Sequence, residues 1–351
     1  MGASSINSIS EFLLQAGTEY RIFDMGRRLT PIETQAFLNI ENGTVPAPYP
    51  RQQHGWFGIV FWNKNASEQY YIWFVKLPLD ERGLVVLASR NHFLEIIVDA
   101  LGQSIADEGK QHQSLPDNPY SFVPGQALLA QFNALVKITL TQPLSDHICH
   151  VEAYLQAPQV ADWQALPLQA VTDFAFSLPQ SNKREKLEQA LVANISLFAT
   201  PFLHTLMESC ENCEISEQLE EVFSNWMLQD DEVNIAALRS LSCAQKHDVV
   251  YRNLATLLES KKADKVDILS VIAARHFTQL DANLLMLFFE ACARVDASDL
   301  HQGALFSGFF SDLVQIPTLR NDVLAVLRNP ERSDTLSKAI GLLFSTMRGR
   351  S

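Results

Sequence analysis

Val233-Asn234-Ile235-Ala236-Ala237-Leu238 and Val266-Asp267-Ile268-Leu269-Ser270-Val271 stand 33 residues apart and bring their apolar positions into register. Leu300 to Leu305 and Thr335 to Ile340 continue the series. Between these segments, Tyr251, Leu254 and Leu258 map by the same offset onto Leu284, Leu287 and Ala291, and more loosely onto Leu319 to Val326. Each unit is therefore a pair of amphipathic helices. A pair this short cannot bury its own apolar stripe and must stack on the next. The period predicts a mostly helical C-terminal half over residues 184–351, built as a HEAT-like or TPR-like α-solenoid. The chain carries no TPR or ankyrin consensus, so a closed helical bundle is the alternative arrangement.

Upstream, residues 104–183 are punctuated by prolines from Pro116 to Pro179 and predict a connecting region with short helices at Gln126 to Thr139, Ser145 to Leu155 and Leu168 to Phe176. The stretch Gly109 to Asn118 reads as a mobile loop. Residues 1–103 predict a small α+β domain. A helix over Ser5 to Gln15 precedes an alternating strand from Tyr20 to Met25. Thr30-Pro31-Ile32-Glu33 resembles a capping box with proline at the first helical position, opening a helix to about Ile40.

The densest aromatic sequence follows: Gly55-Trp56-Phe57-Gly58-Ile59-Val60-Phe61-Trp62, a polar loop over Asn63 to Gln69, then Tyr70-Tyr71-Ile72-Trp73-Phe74-Val75-Lys76. It predicts an antiparallel hairpin. Pairing Phe61 with Tyr71 puts Phe57, Ile59, Trp73 and Val75 on one face and Trp56, Val60, Trp62 and Phe74 on the other. Both faces are apolar. Such a hairpin is covered on both sides or leaves one face for a partner. A third strand over Leu84 to Ala88 and a helix from Asn91 to Leu101 are expected to supply part of the cover.

The composition of the 351-residue chain, 47% hydrophobic with a net charge of -13, describes a folded acidic protein. Both halves are acidic, and an acidic body repels phosphate backbones and anionic membranes. Arg27-Arg28 and Arg348-Gly349-Arg350 are small local exceptions. The first residues show no secretory signal and no window is apolar over a membrane span, so the expected setting is the cytoplasm. Cys149, Cys210, Cys213, Cys243 and Cys292 are scattered and odd in number, which suits reduced thiols.

Cys210-Glu211-Asn212-Cys213 is a lone CxxC without two further ligands at zinc spacing, and it reads as two packing cysteines. His147 and His150 share a helix face while Cys149 points away. The sequence contains no nucleotide-binding loop, nucleophile elbow or zinc-protease motif, and it calls for no cofactor and no metal. The most catalytic-looking set gathers His54, Lys76, Asp80, Glu81, Arg82, Arg90 and His92 at the ends of the N-terminal sheet. These residues equally suit solvated strand and helix ends.

The run Tyr20-Arg21-Ile22-Phe23-Asp24-Met25-Gly26-Arg27-Arg28, the tryptophan-rich hairpin, and Phe74-Val75-Lys76-Leu77-Pro78-Leu79-Asp80-Glu81-Arg82-Gly83 resemble a γ-proteobacterial family catalogued as domain of unknown function 3549. The resemblance extends over the full length. It implies a bacterial cytosolic setting and no particular activity, cofactor or catalytic residue.

Three functional readings follow. The first is a non-enzymatic adaptor or scaffold that binds an unidentified protein through the helical-repeat surface and the aromatic N-terminal domain. Trp56, Trp62, Trp73, Arg27 and Arg28 are its candidate partner-binding residues. The second is an enzyme or small-ligand protein with its site in the N-terminal domain or interdomain cleft. The third is an accessory factor of an RNA-bound complex, with no direct nucleic-acid binding expected from the charge.

Overall fold

The structure is a computed structural model and describes residues 7–63, 70–106, 116–229, 232–298 and 303–348. The chain divides into two compact units. One holds the described residues up to Pro124 together with Val314–Arg320, and the other holds Gly125–Leu313 and the described residues from Asn321 onward.

The first unit runs α1 (Ile9–Gln15), β1 (Thr18–Asp24), β2 (Thr30–Ile32), α2 (Thr34–Glu41), β3 (His54–Asn63), β4 (Tyr70–Pro78) and α3 (Leu87–Ala106). The strands form an antiparallel sheet in the order β2-β1-β3-β4. Phe61 does face Tyr71, as the alternation requires. One sheet face carries Ile22, Phe57, Ile59, Val75 and Leu77, each at most 1% exposed, and packs on Ile9 and Leu13 of α1, Phe37 of α2 and Phe93 of α3. The polar loop expected after Asn63 falls on residues 64–69, outside the described residues.

Two local expectations change. Thr30-Pro31-Ile32 is a strand, because Ile32 pairs with Ile22 and the proline lies on an edge strand where its missing N–H interrupts no further ladder. Helix α2 starts four residues after Thr30, behind an extended Glu33. Leu84 to Ala88 adds only an isolated bridge between Leu79 and Val85, and α3 already begins at Leu87. Here the Asp80 carboxylate accepts the N–H groups of Arg82 and Leu84, each at 2.9 Å, and closes a turn with Gly83 at φ 81°. The place beside β3 belongs to β1. Helix α1 begins at Ile9, where the Glu41 carboxylate accepts the Ile9 and Ser10 N–H groups at 2.7 and 3.1 Å.

The second unit contains α4 (Gln126–Thr139), α5 (Ile148–Gln156), α6 (Leu168–Ser177), α7 (Arg184–Asn194), α8 (Thr200–Cys210), α9 (Glu217–Met227), α10 (Asn234–Ser240), α11 (His247–Glu259), α12 (Val266–Arg275), α13 (Ala282–Ser298), α14 (Ala304–Leu313) and α16 (Asp334–Arg348), with most of α15 (Arg320–Val326). Helix α4 has the bounds expected from sequence, and α5 and α6 differ from theirs only at their ends. Of the expected loop at Gly109 to Asn118, residues 109–115 lie outside the described residues.

The helices pack in two rows. In one row α4 lies on α6, α6 on α8, α8 on α10 and α10 on α12; in the other, α5 lies on α7, α7 on α9, α9 on α11 and α11 on α13. The aligned second helices are α10, α12 and α16, while the third segment begins outside the described residues and enters α14 at Ala304. The offset of the first helices holds at Leu258 and Ala291, both fully buried. It slips at Leu287, which is half-buried because Phe288 and Phe289 fill the core of the longer α13.

Polar bonds tie the helices of the first row to one another. Lys137 of α4 meets Asp173 of α6 at 2.9 Å, and Gln131 of α4 donates to the Glu208 carbonyl of α8 at 2.8 Å. The buried Glu211 carboxylate accepts from Arg239 of α10 at 2.8 Å and Arg275 of α12 at 2.9 Å. Burial alone would raise its pKa, but the two guanidinium groups outweigh burial and hold it below the ordinary range. No helix among the described residues is long and apolar enough to cross a membrane.

Candidate functional site

The sheet face opposite the core of the first unit is built by alternation. Because Trp56, Val60 and Trp62 alternate with inward-facing Phe57, Ile59 and Phe61, their side chains fall on the outer face. The register adds Tyr70, Ile72, Phe74 and Lys76 from β4, and Glu19, Arg21 and Phe23 from β1. Val60 and Phe23 are buried, whereas Trp56, Trp62, Tyr70, Ile72 and Phe74 each keep part of their surface in solvent.

Cations sit against both tryptophans of this face. The Arg51 guanidinium lies 4.0 Å from the Trp56 ring centroid, and the Trp56 indole N–H donates to the Arg51 carbonyl at 2.9 Å. Lys76 Nζ lies 5.7 Å from the same ring, and Phe122 meets it edge-on at 4.8 Å. At the other end of β3, the Arg21 guanidinium lies 5.4 Å from the centroid of Trp62. The negative ring face attracts a guanidinium, and Arg21 also donates from Nη1 to the Tyr20 carbonyl at 2.9 Å.

Arg51 is held by a strained turn. Gln52 and Gln53 take φ values of 50° and 61°, in a region that side chains other than glycine, asparagine or aspartate seldom adopt. Arg51 and His54 exchange N–H to carbonyl bonds at 3.0 Å across it. The Gln53 N–H donates to Gln315 Oε1 at 3.1 Å and its carbonyl accepts the Leu79 N–H at 2.9 Å. These bonds offset the strain.

The sequence-selected residues fall in different places. Trp56 and Trp62 are on the outer face. Trp73 belongs to the inner side, where it meets Phe61 at 4.6 Å and Phe12 and Phe93 at 6.2 Å. Arg27 is 2% exposed and its Nε donates to the Pro50 carbonyl at 2.9 Å, so its charge is turned into the fold. Arg28 is half-buried. Asp24 is fully buried beside this arginine loop. Burial pushes its carboxyl up to about 8, against the opposing pull of the Gly26 N–H and the Arg27 and Arg51 charges. Its Oδ1 accepts the Gly26 N–H at 2.8 Å.

Sequence reasoning passed over Arg21 and Arg51. The signal for Arg21 was its alternation on β1, which puts it on the same face once β1 is known to lie beside β3. Arg51 had no local signal, because its position depends on the turn that folds it back over Trp56.

Most of the acid-base set is committed to separate local contacts. Asp80 pairs with Arg82 inside its own turn at 3.2 Å. Arg90 is buried and donates to the Glu41 carbonyl at 3.2 Å and to Asn42 Oδ1 at 2.6 Å. His92 Nδ1 lies 3.1 Å from the Tyr120 hydroxyl, and His54 Nδ1 lies 2.7 Å from the Gln52 carbonyl. Lys76 lies near Trp56, and Glu81 is exposed.

In the second unit Cys210 and Cys213 are buried, as the packing interpretation of the CxxC requires. Burial pushes the Cys210 thiol up to about 12 and raises that of Cys213 as well, so both stay protonated and weakly nucleophilic. His147 and His150 are exposed with their Nδ1 atoms 3.3 Å apart, while Cys149 donates to the Asp146 carbonyl.

The outer face is thus a half-buried aromatic surface with Arg51 and Arg21 against its two tryptophans. The chain matches the family described as "Protein of unknown function (DUF3549)" over residues 4–344 and belongs to that family. No match was found among curated proteins or among solved structures.

Proposed function

We propose that this protein is a non-enzymatic, cytoplasmic protein-binding adaptor whose helical unit is a HEAT-like or TPR-like α-solenoid. The observation that carries this reading is the two-row packing, in which helices from α4 to α13 lie on the helix two places along. Arrays packed in this way present long continuous surfaces and serve as scaffolds. The outer sheet face of the first unit supplies a second recognition surface, with tryptophan and arginine, the residue types that dominate binding energy at interfaces. The acid-base residues support the same reading, because Asp80, Arg82, Arg90, His54 and His92 are engaged in separate local contacts.

The test is a mild-salt affinity purification of the tagged full-length chain from its own cytosol, with mass spectrometry and a nuclease-treated control. The expected result is a stoichiometric protein that survives nuclease. Recovery of the chain alone overturns the adaptor reading in favour of a ligand or enzymatic site. Recovery only of nuclease-sensitive material overturns it in favour of the RNA-linked role.

A further inference from the structure

We propose that His147 and His150, at the start of α5 in the second unit, form a binding site for a zinc ion held by the Nδ1 atoms of both imidazoles. The proposal is independent of the adaptor reading, and neither residue belongs to the sheet face or the acid-base set described above.

The backbone brings the two rings together. The His150 N–H donates to the His147 carbonyl at 3.0 Å, and side chains three positions apart in so tight a turn lie one above the other. The turn is anchored from below. The Ser145 N–H donates to the Asp173 carboxylate of α6 at 2.8 Å, while Val151, Tyr154 and Leu155 bury the other side of α5. Both histidines are thereby presented to solvent from a fixed stretch of backbone, with ring centroids 5.4 Å apart.

The separation of the nitrogens is the deciding observation. The two Nδ1 atoms stand 3.3 Å apart. Zinc to imidazole bonds of about 2.0–2.1 Å, meeting at the tetrahedral angle, place their nitrogens about 3.3–3.4 Å apart, whereas the right angle of a square-planar or octahedral ion brings them to about 2.8–3.0 Å. The observed distance is the tetrahedral one. A ring-to-ring hydrogen bond accounts for it less well, since N–H donors bond best at roughly 2.7–3.2 Å. A cation between the rings also uses both nitrogen lone pairs at once, where a hydrogen bond uses one.

Cys149 is not a third ligand, because its thiol donates to the Asp146 carbonyl at 3.3 Å. Among the described residues no group of three or more His, Cys, Asp or Glu is placed to hold a metal, so water fills the other two positions of the ion. Those positions are open to exchange, as in zinc sites that accept a ligand from solution. Two histidines at this spacing are too common for the sequence to call for a metal; the approach of their rings supplies what spacing lacks.

Zinc chloride titrated calorimetrically into the full-length chain, free of any histidine tag and in a buffer that does not chelate the metal, tests the site. The expected result is one equivalent of bound zinc, with affinity reduced about tenfold or more in His147→Ala and in His150→Ala. Cys149→Ser is expected to leave the affinity unchanged. Both histidines are exposed, so the metal-free variants should keep the thermal midpoint of the parent chain, and zinc should raise the midpoint of the parent more than theirs. Absence of saturable binding, an equivalent undiminished by either histidine substitution, or one lost with Cys149→Ser overturns the proposal.

Discussion

At the scale of single residues, the tightest constraint is Gly26. A Cβ there would lie 2.0 Å from the Tyr49 carbonyl oxygen, and backbone cannot retreat as the end of a side chain can. Gly26→Ala is expected to cost about 3 kcal/mol or more, read as a lower urea midpoint. Asp24, two residues earlier, gives a pH signature. Its folded pKa of about 8 lies above the ordinary 3.8, so the fold holds a proton that the unfolded chain releases. Its contribution is complete below 3.8, declines as pH climbs to about 8, and is level beyond, for a total on the order of a few kcal/mol. Asp24→Asn should flatten the stability curve across that window, and chemical unfolding of both chains from pH 5 to 9 measures it; parallel curves would sink the assignment. The tryptophans also separate at this scale. Trp73→Ala is expected to lower the thermal midpoint more than Trp62→Ala, because Trp73 packs with Phe61, Phe12 and Phe93 on the core side while Trp62 lies on the outer face.

At the scale of elements, the hairpin was legible down to its register, because alternate aromatic residues leave few other ways to pair Phe61 with Tyr71. The neighbouring elements were less so. Thr30-Pro31 is as good a helix opening as it is an edge strand, and only the hydrogen bonds of β1 decide between them. The outer face was legible as apolar but not as cationic, since Arg21 arrives from another strand and Arg51 from a turn. Caps behave more locally. Ser8 Oγ accepts the Glu11 N–H at 3.0 Å, and Ser8→Ala should cost about 1 kcal/mol in urea unfolding. Glu211 joins three helices, and Glu211→Ala leaves Arg239 and Arg275 without their shared carboxylate. A loss of about 3–5 kcal/mol is expected for such a broken buried pair. Its depressed pKa has the opposite sign to that of Asp24, so its contribution is present above 4.5 and is lost as pH falls through the folded value.

At the scale of the molecule, the first unit takes in residues from two distant parts of the chain. Val314–Arg320 belongs to it, with Gln315 accepting from Gln53 at 3.1 Å and Arg320 donating to the Glu81 carbonyl at 3.2 Å. A chain beginning at Gly125 should therefore show a lower thermal midpoint and faster proteolysis around residues 314–320 than the full-length protein, because that segment has lost its partners. By itself the sequence determined that the C-terminal half is helical, that the hairpin is apolar on both faces, and that the chain belongs to its family. Those properties are carried by periodicity and local motif, which neighbours along the chain suffice to express. Only the tertiary structure decided that the row packing reaches back to α4, that Arg27 is turned inward, and that Arg21 and Arg51 meet the outer tryptophans. Each of these depends on contacts between residues far apart in sequence, where one chain's spacing holds no record of which surfaces will meet.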